Sequence, residues 1–88
     1  MKADPQVILR LLKTARGQID GIIRMVEDDR YCIDISNQLL ATESILRKTN
    51  REVIHAHMEH CVKEAMETGD SEEKLKEVLS LIDKLTKS

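Results

Sequence analysis

Eighty-eight residues with a formal net charge of −2 exclude a large multidomain enzyme and carry no global signature of a nucleic-acid binder, so any contact with DNA must come from a local basic patch. One Tyr, no Phe and no Trp, with 34% charged residues, describe a chain whose apolar side chains are aliphatic and suited to long helices. With no run of 18 apolar residues and no signal-peptide pattern, the protein is expected to be soluble, cytoplasmic and without a membrane partner.

Helix breakers are scarce: Pro5, Gly17, Gly21 and Gly69. The pattern predicts an all-α protein of three helices, folded as a single unit over residues 1–88. After Asp4-Pro5, Ile8, Leu12, Ala15, Ile19, Ile22 and Val26 recur in steps of four and three, the a and d positions of a heptad seam. This places a first helix at about 5–27, followed by the polar connection "EDDRY". From about 32 to 68 there is no Gly and no Pro, Leu39, Leu46 and Val53 recur every seven residues, and Val62, Ala65 and Met66 continue the stripe. A second helix ending at Gly69 would be ~54 Å long at 1.5 Å per residue. It would outrun the first helix and leave apolar surface for another subunit. Asp70 or Ser71, with Glu73, forms a capping signature for a third helix at about 71–86. That helix is expected to pack by one face through Leu75, Val78, Ile82 and Leu85.

All three histidines and one cysteine fall within "HAHMEHC", residues 55–61. Only His57 and Cys61, four apart, share a helical face. An H-x-x-x-C pair alone is a weak signal, equally compatible with a buried Cys and solvated histidines. Cys32 changes that balance. Along an unbroken helix it lies 29 residues, hence ~43 Å, from Cys61. In an antiparallel pair of identical helices with its two-fold axis near Leu46, however, Cys32 of one protomer meets His57 and Cys61 of its partner, twice. The expected assembly is an antiparallel helical-bundle dimer with two sites between protomers. Two thiolates and one imidazole suit Cu(I); Zn(II) stays open, because His60 or water could complete a tetrahedron.

"RGQIDGIIRMVEDDRYCIDI" and "NREVIHAHMEHCVKEA", with Cys32, His57 and Cys61 at their spacing, resemble the copper-sensing operon repressor family of bacterial transcription factors (the CsoR/RcnR type), in its Cu(I) branch. The resemblance covers nearly the whole chain. It implies a helical dimer that pairs into a tetramer, binds operator DNA without metal and releases it on binding Cu(I), so that copper-homeostasis genes are expressed. It also implies that Tyr31 and Glu77 stand around the ligand His57. A carboxylate accepting the imidazole's free N–H fixes ring tautomer and orientation. From the residues alone, Glu77 reads rather as one solvated charge among several in "SEEKLKEV".

No helix-turn-helix or zinc-finger pattern is present. Arg10, Lys13 and Arg16 on the first helix, and Arg47, Lys48 and Arg51 on the second, are candidate phosphate contacts or solvated faces. The resemblance favours contacts and places a basic residue at Lys48. Where the family usually carries Arg near the start of the first helix this chain has Leu11, with Arg10 beside it. Two other functions fit the cysteines: a related repressor sensing persulfide, aldehyde, nickel or cobalt, and a copper buffer without DNA function. No nucleophile–base–orienter set and no phosphate-binding Gly loop argues for an enzyme.

Overall fold

The computed structural model of the protein describes residues 1–69 and 71–87, without the side chains of residues 71, 86 and 87. The described residues form three α-helices: α1 (Pro5–Glu27), α2 (Cys32–Thr68) and α3 (Ser71–Lys87). Asp4 caps α1 by accepting from the Gln6 backbone N–H at 2.9 Å, and Pro5 occupies the first turn, where its missing N–H costs nothing. The turn to α2 closes through Asp28, whose N–H reaches the Arg24 carbonyl at 2.9 Å, and through Asp29, which takes a left-handed φ of 51°. Gly69 ends α2 with φ 74°, its N–H bonded to the Ala65 carbonyl, where a side chain would be strained. Of the expected cap of the third helix, Asp70 and the side chain of Ser71 lie outside the described residues.

α1 and α2 form an antiparallel hairpin, and the heptad seam of α1 is divided. Ile8, Ala15 and Ile22 are buried. Leu12, Ile19 and Val26 remain exposed, up to 60% at Val26. On α2 the buried positions of the first half are Thr42 and Thr49, one heptad apart, not the leucines. Their hydroxyls are satisfied locally: Thr42 donates to the Gln38 carbonyl or to Gln18 Oε1 of α1 (2.8 Å), and Thr49 to the Ile45 carbonyl. Leu39 and Leu46 stand about 60° around the helix from this row and are exposed.

The molecule measures 58 × 28 × 12 Å. Its length is that of α2, and its thickness is one helix diameter. A single layer of helices has no third element to cover its broad faces, which is why so few side chains are fully buried. α3 also docks differently from expectation. Its half-buried positions are Lys74, Glu77, Val78 and Leu81, whereas Leu75 is 58% exposed and Ile82 and Leu85 are exposed too. Of the four expected contacts only Val78 is on the docked face. Charged residues select the face because their partners on α2 are charged or polar.

Candidate metal centre

His57 and Cys61 project from the same side of α2, one turn apart, and α3 returns alongside to bring Glu77 between them. The ring Nε2 of His57 lies 2.5 Å from Glu77 Oε1, and Cys61 Sγ donates towards Glu77 Oε2 at 3.7 Å. Cys61 Sγ is also 3.4 Å from His57 Nε2. The three donor atoms lie within 4.8 Å of one another, close enough to share one ion. With its proton on Nε2, His57 donates to one carboxylate oxygen while the Cys61 thiol addresses the other. One carboxylate therefore holds both neighbouring side chains in place.

Burial differs within the cluster. Cys61 is 2% exposed, while the side chains of His57 and Glu77 are each 41% exposed. Desolvation first, and then the negative charge of Glu77, push the Cys61 thiol above its ordinary range. The hydrogen bond from His57 holds the Glu77 carboxyl below its ordinary range against the opposing effect of burial. In the metal-free protein the thiol is thus kept protonated and the carboxylate charged. A metal ion held by Cys61 would have to displace its proton, so its affinity would rise with pH below the thiol's pKa. The donor set of imidazole, sulfur and nearby carboxylate fits a thiophilic metal ion.

The remaining candidate residues fall in different places. Cys32 opens α2 and is exposed. Because α2 is unbroken to Thr68, Cys32 lies far from Cys61 within one chain, as the helix rise requires. Tyr31 is exposed at the N-cap of α2 and makes no side-chain capping bond. His55 pairs with Glu59 at 3.2 Å and His60 with Glu64 at 3.4 Å, so neither joins the cluster. Arg10, Lys13, Arg16, Lys48 and Arg51 are exposed; Arg47, also exposed, pairs with Glu43 at 2.6 Å. Arg10 and Lys13 line a shallow groove with Gln6 and Thr14, whereas Leu11 is half-buried. The charge thus sits on the outer side of α1 at residue 10 and not at residue 11. Met66, which continues the apolar stripe of the second helix in sequence, is 82% exposed.

Sequence reasoning missed Lys74 and Glu64. Lys74 Nζ lies 3.6 Å from Glu64 Oε2 and 4.0 Å from Glu77 Oε2, and it lines a groove of 400 Å³ with Cys61, Val62, Ala65, Met66, Leu75 and Val78. The i,i+3 spacing of Lys74 and Glu77 was the available signal. The cross-helix partner Glu64 carried none, because its register against α3 depends on the turn.

The family model for metal-sensitive transcriptional repressors matches residues 4–84. The copper-sensing transcriptional repressor CsoR of Mycobacterium ulcerans is 43% identical over 74 residues, 84% of this chain and 63% of that protein, so the chain spans just under two thirds of that relative's length. CsoR of Bacillus subtilis is 40% identical over 81 residues, 92% of this chain and 80% of the relative. Among solved structures, the Cu(I) complex of the copper-sensing repressor CsoR from Geobacillus thermodenitrificans superposes with a TM-score of 0.83 at 37% identity, covering 92% of this chain and 84% of that one. The nickel-responsive transcriptional regulator InrS superposes with a TM-score of 0.88 at 26% identity, covering 96% and 94%.

Proposed function

The chain belongs to the metal-sensitive transcriptional repressor family, and from that premise we propose that it is a Cu(I)-responsive repressor of copper-homeostasis genes, not an enzyme. The observation that carries the reading is the convergence of His57, Cys61 and Glu77 from two helices, in a chain similar to proteins named for copper sensing. Both ligand-type residues sit on one face at the spacing an ion needs, and a carboxylate stands behind the imidazole.

In this reading Cys32 of one protomer completes the site with His57 and Cys61 of its partner. The exposed leucine row of α2 and the one-helix thickness of the chain supply apolar surface for such a dimer, and a dimer of dimers is the proposed DNA-binding form. Cu(I), when bound, supplies a soft cation that links two thiolates and an imidazole. Cys61 gives up its proton and with it the contact to Glu77 Oε2. Glu77 keeps its bond to His57 and so holds the ring, with Tyr31 of the neighbouring protomer as a further partner. Because Glu77 belongs to α3, a change in its bonding at the site moves the docking of α3 on α2. The α3 position that suits the metal-bound site is the one that disfavours DNA, which is the differential affinity allosteric release requires.

Arg10, Lys13, Arg16, Arg47, Lys48 and Arg51 are the proposed phosphate contacts, repeated by symmetry, and the protein works in the cytoplasm. With Leu11 turned inwards, Arg10 takes the place of the family's usual arginine. An anaerobic Cu(I) titration of the complex with operator DNA, followed by fluorescence anisotropy, tests the whole reading. Release by Cu(I), with little effect of Zn(II) or Ni(II), is expected. Unchanged DNA affinity at saturating Cu(I) sinks the repressor mechanism, and no DNA binding by the metal-free protein leaves a copper buffer. Full response in a His57→Ala variant replaces copper with a thiol-directed inducer.

A further inference from the structure

A binding site for a cation ordinarily surrounds it with neutral or negative groups, yet a lysine stands at this one. Lys74 is only 25% exposed, in a groove whose other walls are Val62, Ala65, Met66, Leu75 and Val78. Its ammonium is 4.0 Å from Glu77 Oε2, the same oxygen that accepts from Cys61 Sγ. It is therefore one carboxylate oxygen away from the sulfur that would hold the metal. Glu64, 3.6 Å away, anchors it from α2. An ammonium repels any cation that approaches the sulfur, so its place there calls for a reason.

We propose that Lys74 is a selectivity residue: its fixed positive charge, held in the Cys61 groove by Glu64 and Glu77, discriminates against divalent ions and so favours a monovalent soft ion such as Cu(I). The inference rests on the metal-sensing reading of the site and adds to it the basis of discrimination by charge. The physical ground is Coulomb's law. An ammonium repels a divalent ion with twice the energy of a monovalent one at the same position, and apolar walls screen the interaction less than water does. The charge balance agrees. Cu(I) with two thiolates carries a net charge of −1, which an adjacent cation stabilises, whereas Zn(II) with the same ligands is neutral and gains nothing.

Lys74 remains charged through this role. The carboxylate of Glu64, followed by Cys61 and Glu77, holds its ammonium above the usual lysine range against the opposing pull of burial. The competing consequence of the charge, that it favours the Cys61 thiolate, does not disturb selectivity. Proton release by Cys61 is the same for either metal and cancels in the ratio of affinities.

The test is anaerobic competition of the full-length protein against chromophoric chelators for Cu(I) and for Zn(II), in wild type, Lys74→Met, Lys74→Gln and Lys74→Arg. The ratio of Zn(II) to Cu(I) affinity is expected to rise on the order of tenfold in both neutral variants, after discounting for solvent screening, and to stay at the wild-type value in Lys74→Arg. A flat ratio in the neutral variants, or an equal rise in Lys74→Arg, overturns the proposal. The His57 ring nitrogens, read by NMR in metal-free protein, should keep their wild-type shifts in Lys74→Met. A ratio that changes together with those shifts shows that Lys74 acts by geometry and counts against the field. Wild type that binds no Cu(I) removes the functional reading and this inference together; wild type that binds Cu(I) with a flat variant series removes this inference alone.

Discussion

Towards α1, the second helix presents Thr42 and Thr49 beside the buried Ile8, Ala15 and Ile22; towards α3 it presents His57, Cys61 and Glu64, met by Lys74 and Glu77. None of these residues of the first contact, nor Gln18 bonded to Thr42, is titratable. Its apolar side chains and its Thr42–Gln18 hydrogen bond are the same at any ordinary pH and with any metal. The second is held by charges and protons at partly exposed positions, where each bond is worth little by itself and responds to solution conditions. One helix thus carries a permanent fastening over its first half and an adjustable one over its second. The proposed sensing role needs both: a scaffold that keeps its contacts, and a joint whose bonding the inducer would rewrite.

The largest expected effect strikes the adjustable joint without touching the scaffold. Cys61→Ser removes a proposed ligand sulfur while preserving a hydroxyl that can still donate to Glu77. Cu(I) affinity should fall by more than about 100-fold, since changes to the partners behind a ligand already cost 10–100-fold. The unfolding free energy from urea titration should change by no more than about 1 kcal/mol, as for most tolerated substitutions. A variant that keeps wild-type Cu(I) affinity removes Cys61 from the site. The converse variant is Ile22→Ala, which truncates a side chain only 8% exposed in the α1–α2 contact. It should lose about 2–4 kcal/mol in urea unfolding at fixed protein concentration, through lost burial and an unfilled cavity. Its Cu(I) affinity should stay within a factor of about 3 of wild type, because distant sites without shared partners are nearly independent. A large loss of metal affinity in Ile22→Ala would show that the two joints are coupled and the comparison too sharp.

The two joints were also unequally legible in the sequence. Local signals placed the helices: Asp4-Pro5 and Gly69 act within a turn of themselves, and the absence of breakers between Cys32 and Thr68 needs no tertiary information. His57 and Cys61 were legible for the same reason, since i,i+4 spacing fixes a shared face. Helix faces were harder to assign. The seven-residue spacing of Leu39 and Leu46 marks an apolar row without saying what covers it; the face turned to α1 is that of the threonines three residues later, because a back-bonded threonine packs closely and its hydroxyl is already satisfied by the preceding turn. On α3 the apolar positions were expected inwards, but the site's charges selected Lys74 and Glu77. Which face of an amphipathic helix docks depends on its partners, and Leu75 and Leu39 remain more than half exposed.

The smallest expected effect separates the two causes that act on Cys61. Its thiol is raised first by burial, which belongs to the packing, and then by Glu77, which belongs to the joint. Glu77→Gln removes the second cause and leaves the first. The Cys61 thiol should therefore titrate at lower pH than in wild type but still above an ordinary thiol, as followed by thiolate ultraviolet absorbance in a Cys32→Ser background. The sign for stability follows. A group whose pKa is higher folded than unfolded contributes stability below the unfolded pKa and loses it as pH rises through the folded one. Metal-free wild type should thus weaken in the alkaline range above the ordinary thiol pKa, and Glu77→Gln should weaken less over that range. Metal binding inherits the same shift. With less proton competition at Cys61, the Cu(I) affinity of Glu77→Gln should approach its high-pH limit at lower pH, while that limit falls because His57 has lost its orienting carboxylate. An unmoved thiol titration in Glu77→Gln would place the whole perturbation in burial and leave the carboxylate with no hold on the sulfur.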